Sequence, residues 1–259
     1  MTMVFIPTSG KSQKSPSLSG ETVSIVAVHP QAVPRAKALS LQLGLDELCD
    51  IDTASGLVLE VSQRGLGLRD YTQRGSRTLI IDSAGGRYLG PGRDLLSRAL
   101  GRNCQSVIDA TAGFGSDAFD FVRRGKQVCA IERVAIVAMM LKEAAANLCS
   151  GRKEGNLRVV CGDAIDRIGA QAAADVIFLD PMFPDRDRQS AQPRKTQQIL
   201  RRLAGEDLDA GELLRVARHH ARRRVIVKRP RYAPPLGGDP DISHKGRSVR
   251  YDVYLTGGT

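Results

Sequence analysis

From Asp94 to the C-terminus the sequence alternates helical stretches with short apolar runs, and that alternation constrains the fold more than any other feature of the chain. The helical stretch DLLSRALG leads into SVIDATAGFG, an apolar strand ending in a glycine turn, and SDAFDFVRRG follows as a helix. QVCAIER, the longer helix VAIVAMMLKEAAANLCS, LRVVCGDA and DVIFLDPMFP continue the pattern. A long polar region with helices up to ARHHARR precedes two further strands, RVIVKRP and SVRYDVYL. Strands joined through helices require right-handed crossovers and therefore a mostly parallel, doubly wound sheet. SVRYDVYL lies close behind DISHKG across the short turn GRS, which adds an antiparallel hairpin at one edge. The expected fold of residues 94–259 is thus α/β and Rossmann-like.

Ahead of this unit, residues 21–93 read as a small α+β domain. SIVAVH is a strand, and PRAKALSLQLGL is a helix with Pro34 near its start and Gly44 near its end. LVLEVSQ, GLGLRDY and TLIIDS are short strands between Gly/Arg turns, and the unit ends at GRYLGPGR. Residues 1–20, rich in Ser, Lys, Gly and Pro after a short apolar patch, are expected to be a flexible extension, neither a signal peptide nor a core element. No apolar run approaches the roughly 18 residues of a membrane helix, so no membrane partner is expected. The five cysteines form no C-x-x-C pair, which argues against a zinc site or a disulfide framework. They read as small buried hydrophobes in a reducing compartment, with no metal and a cytoplasmic location expected.

The net charge of +10 is unevenly placed. Residues 183–231 carry 14 Lys/Arg against 6 Asp/Glu, residues 64–102 carry 8 against 3, and the remainder is net acidic by 3. A basic excess gathered in two stretches suits a nucleic-acid backbone, because each phosphate contact releases condensed counterions. An arginine-rich solvated surface has the same composition.

Four successive strand ends carry carboxylates. Asp109 ends SVID, Gly113 and Gly115 form a turn where backbone approaches a ligand, and Ser116 or Asp117 opens the next helix as its cap. GFGSDA also fits the G-x-G-x-x-A form of a dinucleotide fingerprint, and a helix start without a ligand looks the same. Glu132 follows 23 residues after Asp109, where a carboxylate either accepts from both ribose hydroxyls of an adenosine or caps a helix. Asp163, in CGDA, is placed to accept from an adenine amino group or to N-cap the helix behind it. Asp180 ends VIFLD. A pyrophosphate disfavours so many carboxylates, whereas S-adenosylmethionine carries a sulfonium and an ammonium that acids favour. The acids therefore point away from NAD and a dehydrogenase.

Pro181 and Pro184 fix their own φ and bias Asp180 and Phe183 towards extended backbone, so DPMFP is a rigid turn outside the carboxyl ends of the strands. One carboxylate and one ring on such a turn make a platform for something flat and polar. An exocyclic amine such as guanine N2 is a poor nucleophile because its lone pair is delocalised into the ring. Acceptors that hold its hydrogens restore density on nitrogen and aim it at a sulfonium methyl. Asp180 and a carbonyl of the Pro181 turn suit that task, and Phe183 either stacks on the base, for about 1–3 kcal/mol, or packs in the core. Asp180, Pro181 and Phe183 are the candidate catalytic residues. Lys228 and Arg229 end a strand beside this site, where they grip phosphate or neutralise the acidic strand ends. Arg222, Arg223 and Arg224 fit a helix end or an RNA contact equally, and His219 and His220 have no partner at ligand spacing.

The D-x-x-x-G-x-G turn followed by a (D/N)-P-x-(F/Y) turn is similar to that of methyltransferases acting on exocyclic amines of bases. VIDATAGFGSDAF, the IER strand end, FLDPMFP, VIVKRPRYAPPL and KGRSVRYDVYL, in this order and at these separations, closely resemble the bacterial small-subunit rRNA guanine-N2-methyltransferases of the methyltransferase J family. The likeness runs from about residue 45 to the C-terminus, and DPMFP and KRP-x-YAPPL are its specific motifs. It implies a class I S-adenosylmethionine-dependent methyltransferase fold. It also implies methyl transfer to N2 of one guanosine near the 3′ end of 16S rRNA, with S-adenosylhomocysteine as product. The implied partner is 16S rRNA or the small ribosomal subunit, with no obligate protein partner evident. Cofactor contacts carry over onto Ser116, Asp117, Glu132, Arg133, Gly162, Asp163 and Asp180, beside Asp109, Gly113 and Gly115 of the glycine turn. Lys228, Arg229 and Arg231 are the candidate RNA contacts. Ser116 stands where Arg is expected, Gly162 and Asp163 where some members have Ser-Ser, and Arg231 replaces an Asp, which makes the RNA face more basic. Two rivals remain: a DNA amine methyltransferase, which needs a region reading the major groove that is not obvious here, and a silent RNA-binding module, against which the intact strand-end acids count.

Overall fold

The computed structural model describes residues 21–45, 48–83, 94–149, 156–182, 195–205 and 207–257. The expected extension at residues 1–20 and the GRYLGPGR boundary lie outside them. The apolar run VSIVA forms β1 (Val23–Ala27) and is followed by α1 (Val33–Leu43). Pro34 occupies the first turn of α1, where its missing N–H would have no helical partner, and the helix stops at Gly44 with a left-handed φ of 63°. This crossover lays β2 (Leu57–Ser62) parallel to β1. β3 (Gly65–Asp70) and the short β4 (Leu79–Ile80) then add antiparallel strands in the order β1-β2-β3-β4.

The second half alternates as expected. It comprises α2 (Leu95–Leu100), β5 (Ser106–Asp109), α3 (Ser116–Arg123), β6 (Gln127–Glu132), α4 (Ala135–Cys149), β7 (Asn156–Cys161), α5 (Ala164–Arg167) and β8 (Val176–Leu179). After these come α6 (Lys195–Ala204), α7 (Ala210–His220), β9 (Arg224–Pro230), β10 (Ile242–Lys245) and β11 (Val249–Leu255). The seven strands lie in the order β10-β11-β9-β8-β5-β6-β7. β9, β8, β5, β6 and β7 are mutually parallel, and β11 runs antiparallel between β9 and β10, which is the expected edge hairpin. All four residues of β8 are buried, as a strand covered on both faces requires. From β5 the chain moves outward through β6 to β7, then returns to β8 on the other side of β5. That reversal opens a crevice at the carboxyl ends of β5 and β8, the place where doubly wound sheets bind ligands.

α4 joins the two sheets. Its sequence, AIVAMMLKEAAANLC, is apolar nearly all round, the mark of a helix buried on more than one side. Ile136, Val137 and Met140 pack with Ile25, Leu59 and Leu68 of the first sheet. Leu141, Ala144 and Leu148 belong to the core cluster of the second sheet, with Phe119, Val128 and Phe178. The first sheet also grips α6, because Arg202 donates to Asp70 and to Glu21, each at 2.5 Å. Among the described residues no helix is long and apolar enough to cross a membrane. Of the cysteines whose side chains are described, only Cys104 is buried, and Cys49, Cys129 and Cys161 are half-buried, a departure from the expectation for all five.

The two-sided burial of α4 is testable. Ile136→Ala should lower the free energy of unfolding by about 2–5 kcal/mol, read from the denaturant midpoint at unchanged slope. A loss within error would show that the first sheet does not lean on this helix.

Candidate active site at the carboxyl ends of the strands

The glycine turn after β5 is built to bond with itself. Thr111 N–H donates to the Asp109 carboxylate at 3.2 Å, Ala112 N–H to Ile131 O at 3.1 Å, and Gly115 N–H to Ala112 O at 2.8 Å. Gly113 N–H donates to Glu132 Oε2 at 2.7 Å. Gly115 has φ of 82°, and a Cβ there would stand 2.4 Å from Leu141 Cδ1, so only glycine fits. Gly115 itself is the N-cap of α3, with no side-chain cap, and this corrects the expectation that Ser116 or Asp117 caps the helix. Ser116 is exposed and Asp117 turns towards β9.

Glu132 is buried, and its second oxygen accepts from Val134 N–H at 2.7 Å. Burial pushes its carboxyl up to about 6, against the pull of its two backbone donors. Asp163 N-caps α5 by accepting from Ile165 N–H at 2.9 Å, the second of the two roles its position allowed. Glu132, Asp163, Asp180, Gly113, Gly162 and Arg133 line one cavity, closed on the far side by Leu200, Ala204, Asp207 and Leu213 from α6, α7 and the segment between them. Asp109 lies beneath it, 1% exposed. Burial, reinforced by the nearby Asp117, holds the Asp109 carboxyl well above the ordinary range, against the donor from Thr111.

Asp180 and Lys228 form the centre of the site. The Lys228 ammonium lies 2.9 Å from Asp180 Oδ2 and 2.9 Å from Asp117 Oδ2. Burial disfavours its charge, but the two carboxylates outweigh that and hold Lys228 far above its ordinary range. The Asp180 side chain opens to the crevice, 39% exposed, while protein crowds its other sides and raises its carboxyl despite Lys228. Its backbone is fixed by Asp180 N–H donating to Thr111 Oγ1 at 2.6 Å. The next residue but one is held too, because Met182 N–H donates to Asp207 Oδ2 at 2.5 Å. Asp207 Oδ1 pairs with Arg133 at 2.7 Å, and Arg133 also donates to Ala204 O at 2.9 Å. Arg133 thus reaches the cavity as part of a clasp linking the end of β6, the α6–α7 segment and the Asp180 turn. Sequence reasoning missed Thr111 and Asp207, and nothing in their local pattern marks them.

The structure places the remaining cations as follows. Lys228 takes the second of its two readings, neutralising Asp117 and Asp180. Arg229 is 5% exposed and donates through Nε and Nη2 to Pro234 O at 3.1 and 2.6 Å, so it braces a turn inside the protein. Arg224 lies in β9 and donates to Ala99 O at 3.1 Å, leaving Arg222 and Arg223 as the exposed pair. Arg231 is half-buried, with Nη1 donating to Gly246 O at 2.5 Å. Pro181 is buried. Phe183 lies outside the described residues.

These features fit S-adenosylmethionine better than a dinucleotide. The N–H groups of Ala112, Gly113 and Gly115 point to protein acceptors, so the turn does not present the amide cradle that a pyrophosphate uses. The cavity wall is acidic, and its one cation, Arg133, is paired with Asp207. Carboxylates at these positions suit the ribose hydroxyls, the ammonium and the sulfonium. Among the described residues no three His, Cys, Asp or Glu side chains converge as metal ligands would.

Two outcomes follow from the electrostatics and the clasp. Glu132 gains a proton as pH falls through about 6, losing its charge and an acceptor, so calorimetric affinity for S-adenosylmethionine should weaken below that pH and flatten in Glu132→Gln. The sign for folding is opposite: a raised carboxyl stabilises the fold below its unfolded value and loses that contribution as pH rises through 6. Asp207→Asn sets an amide against Arg133 and loosens the turn, and turnover should fall by about 100-fold, the scale of a 1 Å misplacement, with the melting temperature little changed.

Comparison with known proteins agrees with this geometry. The model of a SAM-dependent methyltransferase family matches residues 41–256. Ribosomal RNA small subunit methyltransferase J of Chromohalobacter salexigens is 36% identical over 84% of this chain and 92% of its own. The protein of the same name from Thioalkalivibrio sulfidiphilus is 35% identical over 93% of this chain and 100% of its own. The crystal structure of a SAM-dependent methyltransferase from Neisseria gonorrhoeae superimposes with a TM-score of 0.66 at 27% identity, covering 91% of this chain and 98% of that one. A doubly wound sheet, an acidic crevice at its switch point and these likenesses lead to one conclusion: the chain is an S-adenosylmethionine-dependent methyltransferase and belongs to the ribosomal RNA small subunit methyltransferase J family.

Proposed function

We propose that this chain methylates N2 of a single guanosine near the 3′ end of 16S rRNA, as free rRNA or in the small ribosomal subunit, in the cytoplasm. The observation that carries this reading is the half-open Asp180 carboxylate on a braced turn at the switch point, in a chain whose relatives are named for small-subunit rRNA. When bound, S-adenosylmethionine supplies an electrophilic methyl on a sulfonium. Glu132 is assigned to its ribose hydroxyls, Asp163 to the adenine side and Asp180 to the cationic end. Arg133 and Gly162 shape the wall, while Asp109, Gly115, Ser116 and Asp117 act from beneath or beside it.

Asp180 and the Pro181 carbonyl accept the hydrogens of the guanine amine and turn its nitrogen towards the methyl. Lys228 holds Asp180 Oδ2, which leaves Oδ1 to face the base. As the N–C bond forms and the C–S bond breaks, the nitrogen becomes positive and sheds a proton. Asp180, with its raised affinity for protons, receives that proton and passes it to water. Phe183 is assigned to stack on the base. Residues 94–259 are the catalytic unit in this reading, and residues 21–93 a smaller domain that supports α4 and α6.

The test is methyl transfer from labelled S-adenosylmethionine to small subunits lacking endogenous modification, with the digested nucleosides identified by mass spectrometry. N2-methylguanosine is the expected product, and incorporation into DNA alone would overturn the assignment. Asp180→Ala should lose at least about 100-fold in kcat with the fold intact, whereas wild-type turnover in that variant would remove Asp180 from the chemistry.

A further inference from the structure

Beside the site a tyrosine stands in water without a folding reason to do so. β9 carries Lys228 to Asp180 and ends at Pro230, on the crevice edge of the sheet. The chain then turns, with Ala233 N–H donating to Pro230 O at 3.2 Å, and Tyr232 is the third residue of that turn. Its side chain is 88% exposed, more than any other large apolar side chain among the described residues. The backbone beneath it is fixed. Arg231 N–H donates to Ser248 O at 3.0 Å, Arg250 donates to Arg231 O at 2.9 Å, and Arg231 Nη1 is anchored on Gly246 O. The Arg231 guanidinium lies over the ring, 5.4 Å from its centroid.

The two segments that meet at this edge carry charge of one sign. Residues 230–233 and 245–248 meet at this edge through the pairing of β9, β11 and β10, and they hold Arg231, Lys245 and Arg247 but no acid. Lys245 and Arg247 are exposed. A rigidly mounted, solvent-facing ring among cations matches the way proteins hold unpaired nucleotides: the base stacks on the ring, and the cations meet the adjoining phosphates. Tyr232 follows Lys228 by four residues, so the two Cα atoms lie at most about 14 Å apart. That range brings Tyr232 within reach of a nucleotide next to the one that Asp180 must hold.

We propose that Tyr232 is a stacking platform for an unpaired rRNA base flanking the methylated guanosine, with Arg231, Lys245 and Arg247 on the phosphates beside it. This inference rests on the rRNA substrate proposed above. Steady-state kinetics on small subunits lacking the modification, with Tyr232→Ala and Tyr232→Phe beside wild type, separate the two ideas. Tyr232→Ala should raise KM for the subunit by about 5- to 150-fold, the range that loss of one stacked base represents, with kcat and the calorimetric affinity for S-adenosylmethionine near wild type. Tyr232→Phe keeps the ring and should behave as wild type. An unchanged KM in Tyr232→Ala, with wild type active, overturns the platform and leaves the substrate assignment standing. Equal damage from Tyr232→Phe also overturns it, because the hydroxyl and not the ring would then be at work. A wild-type protein inactive on subunits and on free rRNA would sink the substrate assignment, and the platform would fall with it.

Discussion

The ammonium of Lys228, held between Asp117 and Asp180, is the interaction on which the rest of the site depends. Parallel strands in a doubly wound sheet end at one edge, so acids at those ends are forced together. Two like charges 4 Å apart repel by about 4 kcal/mol at an effective dielectric of 20. A cation placed between two of them turns most of that repulsion into attraction. Asp109, beneath the crevice and pushed well above its ordinary range, relieves the remainder by favouring its neutral form. The crevice is therefore less negative than a count of its carboxylates suggests, which lets it hold a cation without first being torn apart by its own charge.

Rigidity at Asp180 comes from three directions. Thr111, in the turn after β5, fixes the Asp180 amide, Asp207 fixes that of Met182, and Lys228 fixes one carboxylate oxygen. Each tether comes from a different part of the chain. Prolines restrict the turn locally, but its orientation relative to the cavity is set by these long-range bonds. A weak nucleophile needs such placement, since much of the barrier it faces is one of alignment.

How far the sequence showed this depends on range. The alternation after Asp94 carried the whole second sheet, including the edge hairpin, because strand and helix periodicity are local properties. Gly44 and Gly115 were visible as stops and turns for the same reason, although Gly115 took the capping role expected of its neighbours. Glu132, Asp163 and Asp180 were placed at strand ends and do line one cavity. Lys228 and Arg229 sit side by side in the sequence yet have opposite fates, one reaching into the crevice and one buried against Pro234. Strand alternation puts neighbours on opposite faces, and only the pairing of β9 with β8 and β11 decides which face is which. Asp207 and Thr111 were invisible because their partners lie 25 and 69 residues away.

The two-sided burial of α4 bears on how the protein is made as well as on how it stands. The first sheet is complete at the end of β4, but Met140, part of the surface that covers it, is encoded about 60 residues later. At ribosomal speeds of about 5–20 residues per second, that interval is roughly 3 to 12 seconds. During it the apolar face carrying Ile25, Leu59 and Leu68 is covered by Ala36 and Leu39 of α1 but not yet by α4. The first sheet is thus half-covered when its last strand leaves the ribosome, and its burial is completed only when α4 follows.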